Sequence, residues 1–448
     1  MAAQIVERPV KFTLTRQQMF SLVGYRPASI QRIQLGADKD GHLVALAHDV
    51  VEQSAKVKEY AEQVAVCSRL MYAAPNRRTT HRLAALDVPV PTIMRAPGEA
   101  QGMFALESAM DEMALACGLD PIEFRIRNEP EVHPESGQPF SSRNLVACLR
   151  QGARRFEWER RDPTPRARRQ RGWLVGTGVA ASTYPSPRLP GSWATVRVGP
   201  DQRYTVLIAA ADIGTGTWTT LTQIAADALG VTVEDVTLQI GDTSFPRASV
   251  AGFSSGINSW GASIFEAAGR LRALLESEHS GTLPPKGLEV TAEMPDNPNA
   301  KRYSMHSFGA QFADVRVHED TGEVRVPRLL GVFDAGRIIN PKTARSQLIG
   351  GMTQGLSMAL YEHGVLDPRF GHVVNHDFAE YHIATNADVG SIEADWVDED
   401  DPYVNPMGSK GLGEVGIVGT AAAIANAVHH ATGIRVRDLP ITLDRLLQ

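Results

Sequence analysis

At 448 residues the chain is long enough for two or three domains with their own cores. Its 43 % hydrophobic and 21 % charged residues are ordinary for a globular protein, and a net charge of −6 argues against nucleic acid, which calls for a basic surface. No apolar run approaches the ~20 residues that span a bilayer and no signal-peptide pattern opens the sequence, so no membrane partner is expected.

The first predicted element is a β-hairpin over Arg32–Asp49, turning at ADKDG. MRAPGEAQG (Met94–Gly102) follows, a glycine-bearing turn at a helix start, where free N–H groups and the helix dipole favour anions and Arg95 adds a fork of donors. Apolar residues at Met103, Leu106, Met110, Met113 and Cys117 make a helical stripe, which leaves Glu107, Asp111 and Glu112 facing away. Gly118 stops this helix, and Asp120-Pro121 caps and starts the next. From Glu129 to Ser192 the chain is rich in Pro, Arg and Ser and reads as a linker with one helix, Ser142–Phe156. The RARRQR stretch within Arg154–Arg171 carries no interleaved aromatics and reads as solvated. The domains expected from this are 1–130, a linker over 131–190, and 191–448.

A second hairpin spans Ala194–Ala211 around GPDQ. DIGTGTWTT (Asp212–Thr220) then leads through Gly214, Thr215, Gly216 and Thr217 into a helix ended by Gly230; a short Gly-Thr loop is as often only a turn. AGFSSGINS (Ala251–Ser259) offers hydroxyls and N–H groups, or is merely a pliant loop. A third hairpin covers Phe312–Asp334 around HEDTG, and Asn340-Pro341 opens a helix to about Glu362 whose Gly350, Gly351 and Gly355 require something packed against its backbone. Last comes GSKGLGEVG (Gly408–Gly416), four glycines around Glu414, before an alanine-rich helix that ends near His429-His430. Hairpins interspersed with helices predict an α+β architecture rather than a doubly wound parallel sheet.

Cys67, Cys117 and Cys148 match no zinc, iron–sulfur or disulfide spacing, and the sequence contains no GxxxxGK[ST], HExxH or GxSxG. No protein-ligated metal is expected. Several separate glycine loops suit an extended ligand with many acceptors. Glu414 then reads as a general base: apolar neighbours raise its pKa toward working pH, whereas the following helix start opposes this. The plainer alternative is a surface turn whose Glu faces water.

In order, RAPGEAQG with DPIEFRIRN, DIGTGTWTTLTQIAADALG, FSSGINSWG, DAGRIINPKTARSQLIGGMTQG, GSKGLGEVG and RDLPITLDRLL resemble the molybdenum-binding large subunit of the xanthine dehydrogenase and aldehyde oxidase family. RAPGE and GTGT are most similar to its bacterial periplasmic aldehyde oxidase branch. The resemblance implies two molybdenum-cofactor-binding domains with the cofactor cleft between them. It implies a molybdopterin in its cytosine dinucleotide form, and oxidation of an aldehyde to a carboxylic acid with water as oxygen source. Electrons would pass to [2Fe-2S] and FAD subunits. Glu414 would be the base and Arg161, in a Trp158-x-x-Arg161 stretch, would orient substrate. Arg95, Gly98, Gln101, Gly214, Thr215, Gly216, Thr217, Ser254, Ser255, Gly256, Gln347, Gly411 and Gly413 would hold the cofactor. Family members also carry, ahead of the stretch resembling MAAQIVERPVKFTLTR, a region with a GGGFGGK-like loop that this sequence does not contain, so the expectation is either a second polypeptide that supplies it or a sequence that is an incomplete product. The cytoplasm is the expected compartment, with co-export to the periplasm on a partner as the variant. The alternatives are hydroxylation of an N-heterocycle such as a purine, or an inactive chain serving as an assembly module.

Overall fold

The computed structural model describes residues 1–279 and 282–447. Two short helices, α1 (Ala2–Val6) and α2 (Arg16–Leu22), precede the first sheet. Strands β1 (Ser29–Ala37) and β2 (Leu43–Ala55) form the first expected hairpin, with Asp38 accepting the amides of Asp40 and His42 in the turn. After α3 (Cys67–Leu70), strand β3 (Asn76–Leu86) joins parallel to β2, giving the order β1-β2-β3. Helix α4 (Glu99–Ala116) packs on this sheet, where Gln31 of β1 donates to the Gln101 carbonyl at 3.2 Å.

The next helices are α5 (Pro121–Arg127), capped by the Asp120 carboxylate, and α6 (Leu145–Phe156). Then come β4 (Arg169–Gln170), β5 (Trp173–Pro185), β6 (Trp193–Val198), β7 (Tyr204–Leu207), α7 (Thr217–Leu229), β8 (Val236–Gln239), α8 (Gly256–His279), β9 (Leu288–Glu293), β10 (His306–His318), β11 (Val324–Asp334), α9 (Pro341–Leu360) and β12 (Ser391–Trp396). Helices α10 (Val415–Val418) and α11 (Thr420–Thr432) close the order. The later strands build a sheet β12-β11-β10-β5-β4 and another, β8-β7-β6-β9. Hairpins β6–β7 and β10–β11 are antiparallel, whereas β7–β8 and β11–β12 pair in parallel, so the sheets are mixed and the architecture is α+β. No helix among the described residues is long and apolar enough to cross a membrane.

The linker expectation over 131–190 is corrected. Strand β5 lies inside it, is buried from Leu174 to Tyr184, and pairs with the central strand β10 on one side and the short edge strand β4 on the other. Its small residues serve close packing rather than a loop. A side chain at Gly176 would stand 2.2 Å from the Ala427 carbonyl of α11, and one at Gly178 would stand 2.3 Å from that of Ala423. The N-terminal part packs closely on the rest, because one apolar core joins Leu43 and Met103 to Leu330 and Val415. A second cluster packs α11 against β5, β10 and β11, and the β8-β7-β6-β9 sheet, with α7 and α8 against it, has its own core. Glu107, expected to face away, is fully buried between that first core and α11. It takes Arg125 at 2.7 Å and the Ala181 amide at 2.6 Å, because α4 is covered on more than one side.

Candidate functional site

Glu414 is the residue immediately before α10 and is nearly buried. Its Oε1 accepts the Ala96 amide at 3.2 Å and its Oε2 accepts the Ser254 hydroxyl at 2.9 Å. Burial pushes its pKa above the usual carboxylate value, and the Ser254, Ala96 and Tyr184 donors together with the Arg95 charge hold that rise back. The surface-turn alternative therefore fails: the carboxylate is clamped between two distant segments.

Arg95 supplies the frame. Its Nε donates to the Gly413 carbonyl at 2.7 Å and its Nη2 to the Gln347 carbonyl at 2.8 Å, which ties the turn before α4 to the Glu414 loop and to α9. The glycines beside Glu414 have differing tasks. A side chain at Gly411 would stand 2.4 Å from the Ser254 carbonyl, and one at Gly416 would stand 2.8 Å from the Leu348 carbonyl of α9. Those two bring protein against protein, while at Gly413 the nearest atoms are the Ser254 hydroxyl, at 3.3 Å, and the Gln347 amide oxygen, at 3.7 Å.

Beside Glu414 opens a cavity of about 490 Å³. Helices α7, α8 and α9 all begin on its wall, through Thr217, Gly256 and Asn340, and α10 begins at Glu414 itself. The starts of three helices, α7, α8 and α9, thus border one volume, and free N–H groups at helix starts favour phosphates. The cavity is also built for a ligand lying on bare backbone. Gly214, at φ 94°, and Gly252 both line it, and a side chain at either would meet open space. These features fit a large anionic group such as a pterin nucleotide. Among the described residues no cluster of His, Cys, Asp or Glu could hold a metal ion, so a metal here would come with its own ligand.

Of the residues expected at the site, Glu414, Arg95, Gly214, Thr215, Thr217, Ser254, Ser255, Gly256, Gln347, Gly411 and Gly413 line this cavity. Gly216 stands just behind its wall at the start of α7, against Thr343 of α9. Gly98 and Gln101 are corrected. Neither lines the cavity: the Gly98 amide donates to Glu62 at 2.8 Å, and Gln101 accepts that amide at 3.3 Å, so both brace the turn at the start of α4. Arg161 is corrected as well. It stacks over Trp158 at 4.6 Å and faces Asp120 at 3.7 Å, with Asp111 and His430 nearby. Glu414 neighbours the start of α4, and the 12 residues from Glu99 to Asp111 rise roughly 18 Å along that helix.

Sequence reasoning missed Ala96, Tyr184, Asn340 and Lys410. Asn340 had been read only as a cap, which it is, accepting the Thr343 amide at 3.0 Å. Tyr184 lay in the supposed linker. Lys410 lines the cavity yet is buried against Asp334 at 2.9 Å, Glu399 at 3.4 Å and Asp401 at 3.8 Å, a constellation spread over three segments.

Residues 1–129 match one molybdopterin cofactor-binding domain family, and residues 151–294 and 285–390 match a second. The chain is 43 % identical to the aldehyde oxidoreductase molybdenum-binding subunit of Escherichia coli K12, over 100 % of this chain and 64 % of that protein. It is 30 % identical to the putative xanthine dehydrogenase molybdenum-binding subunit of the same organism, over 98 % and 64 %. The chain thus spans about 64 % of the length of these relatives. Among solved structures, the aldehyde oxidoreductase of Desulfovibrio desulfuricans superposes with a TM-score of 0.88 at 25 % identity, covering 100 % of this chain and 51 % of that one. Quinoline 2-oxidoreductase of Pseudomonas putida 86 shares the fold at a TM-score of 0.84 and 24 % identity, over 99 % and 64 %.

Proposed function

This chain belongs to the molybdopterin cofactor-binding family, and from that premise we propose that it serves as the molybdenum-binding subunit of an oxidoreductase converting an aldehyde to a carboxylic acid. The observation that carries this is Glu414, a buried and clamped carboxylate on the wall that the starts of α7, α8 and α9 share. The reaction balances as aldehyde plus water giving carboxylic acid, two electrons and two protons. When bound, a molybdopterin supplies the redox-active metal that takes up the electron pair.

The chain's own residues do the rest. Ionised Glu414 removes a proton from the water-derived nucleophile through the edge it exposes to the cavity. Arg95 fixes the Gly413 and Gln347 carbonyls, so the carboxylate cannot drift as it gains and loses that proton. The starts of α7, α8 and α9 receive phosphates, and the bare backbones of Gly214 and Gly252 admit a flat ring system. The cytosine dinucleotide form is proposed because a pyrophosphate joins its two halves, and that doubly charged bridge suits a wall where helices begin. The electrons are proposed to leave through partner subunits carrying [2Fe-2S] and FAD groups, in keeping with Cys67, Cys117 and Cys148 forming no cluster-binding set among the described residues.

The test is to produce the chain with its neighbouring gene products, measure molybdenum per complex, and follow dye reduction by benzaldehyde and by hypoxanthine. Bound molybdenum with benzaldehyde turnover supports the proposal. Turnover of hypoxanthine alone overturns the aldehyde assignment, and a complex without molybdenum leaves only the assembly-module alternative.

A further inference from the structure

Ser254 was expected among the cofactor contacts, yet its hydroxyl is committed elsewhere. It donates to Glu414 Oε2 at 2.9 Å, across the gap between the loop before α8 and the loop before α10. The backbone is held in an unfavourable shape to achieve this. Phe253 and Ser254 have φ of 57° and 52°, two successive side-chain-bearing residues in the left-handed region. The turn is closed behind them by Ser255, whose amide and hydroxyl both donate to the Gly252 carbonyl. Opposite, the second donor to Glu414 comes from Ala96, also left-handed at φ 56° and fully buried. The two loops fit closely, since a side chain at Gly411 would strike the Ser254 carbonyl.

We propose that Ser254 is a positioning residue whose hydroxyl, together with the Ala96 amide, aims the Glu414 carboxylate and keeps it in the ionised form that a base requires. This rests on Glu414 being the base of the proposed reaction. A donor to a carboxylate favours the charged state, and here it works against burial. The other groups facing Glu414 are Arg95 in the turn before α4, Glu99 at the start of α4, Tyr184 on β5 and Arg26 before β1. Arg95 and Arg26 favour the charge and Glu99, when ionised, opposes it; these residues stay in place when Ser254 alone is changed.

Two variants test the proposal on the full 448-residue chain. Ser254→Ala removes the hydroxyl and keeps the strained backbone, and Ser254→Gly removes the hydroxyl and relieves the strain. Infrared titration of the carboxyl band in cofactor-free protein, with Glu414→Gln identifying the signal, reads the Glu414 protonation midpoint without any turnover. Both variants are expected to raise that midpoint by about one pH unit. In the molybdenum-loaded complex, the acid limb of kcat/KM for benzaldehyde is expected to move to higher pH by the same amount. An unchanged midpoint in both variants overturns the proposal even if the parent complex turns over benzaldehyde. Reduced molybdenum retention without a midpoint shift overturns it too, returning Ser254 to the cofactor contacts. A raised midpoint in a complex without turnover supports the clamp and removes instead the aldehyde-oxidising function.

Discussion

Glu414 keeps 9 % of its surface exposed, enough to show one edge to a ligand and too little for water to solvate the charge. Its pKa is raised, so the base form is lost as pH falls, and the loss sets in above the ordinary glutamate value. In the loaded complex kcat/KM should therefore decline on the acid side earlier than an exposed glutamate would cause. Glu414→Gln keeps the shape and removes the base, so kcat should fall by about 10²–10⁴-fold while molybdenum content stays at the parent level. Near-normal rates in that variant would withdraw the assignment. Lys410 is a second residue whose surroundings decide its part. With no exposed side-chain surface and three acids around it, Lys410→Met strands the fully buried Asp334 and Asp401 carboxylates, and should cost about 3–5 kcal/mol of stability in urea unfolding.

At the scale of elements, local chemistry made some boundaries readable. Helix α7 runs from Thr217 to Leu229 between Gly216 and Gly230, both at positive φ, so the glycines that mark its ends in the sequence also cap it in space. Asn340-Pro341 started α9 for the same kind of reason. Strand β5 went unread because its Gly, Ala, Ser and Thr content resembles a loop. Those residues are small because α11 lies against them. Gly178→Ala therefore places a methyl group into the Ala423 carbonyl and should destabilise the chain by about 1–3 kcal/mol. A denaturation midpoint within error of the parent's would show that α11 can retreat from β5. The parallel partners β3 and β12 were invisible for another reason: each joins its sheet after a long excursion, and nothing local announces the pairing.

Across the whole molecule, buried titratable groups make stability depend on pH in both directions. Burial pushes Glu99 up to about 8 and Glu52 up to about 7. The folded chain holds these protons more tightly than the unfolded chain, so their contribution is complete below the ordinary glutamate pKa and is lost as pH rises through about 7 to 8. Burial also lowers His48 and His430 to about 4 and His306 to about 3; these contribute above the ordinary histidine pKa and lose their effect as pH falls. Glu99→Gln should flatten the alkaline decline, raising stability at pH 8 relative to pH 5 when urea midpoints are compared with the parent's. An identical pH slope would count against a buried neutral Glu99.

What the sequence determined by itself were features governed by neighbouring residues: hairpin turns, helix caps, the glycine loops, and Glu414 as an acid set among apolar residues. Only the tertiary structure decided that Arg161 stands far from Glu414, that Gly98 and Gln101 brace a turn, and that Ser254 meets the carboxylate. Short-range stereochemistry is written in consecutive residues. By contrast, a hydrogen bond between positions 254 and 414 depends on how two helix starts are packed together.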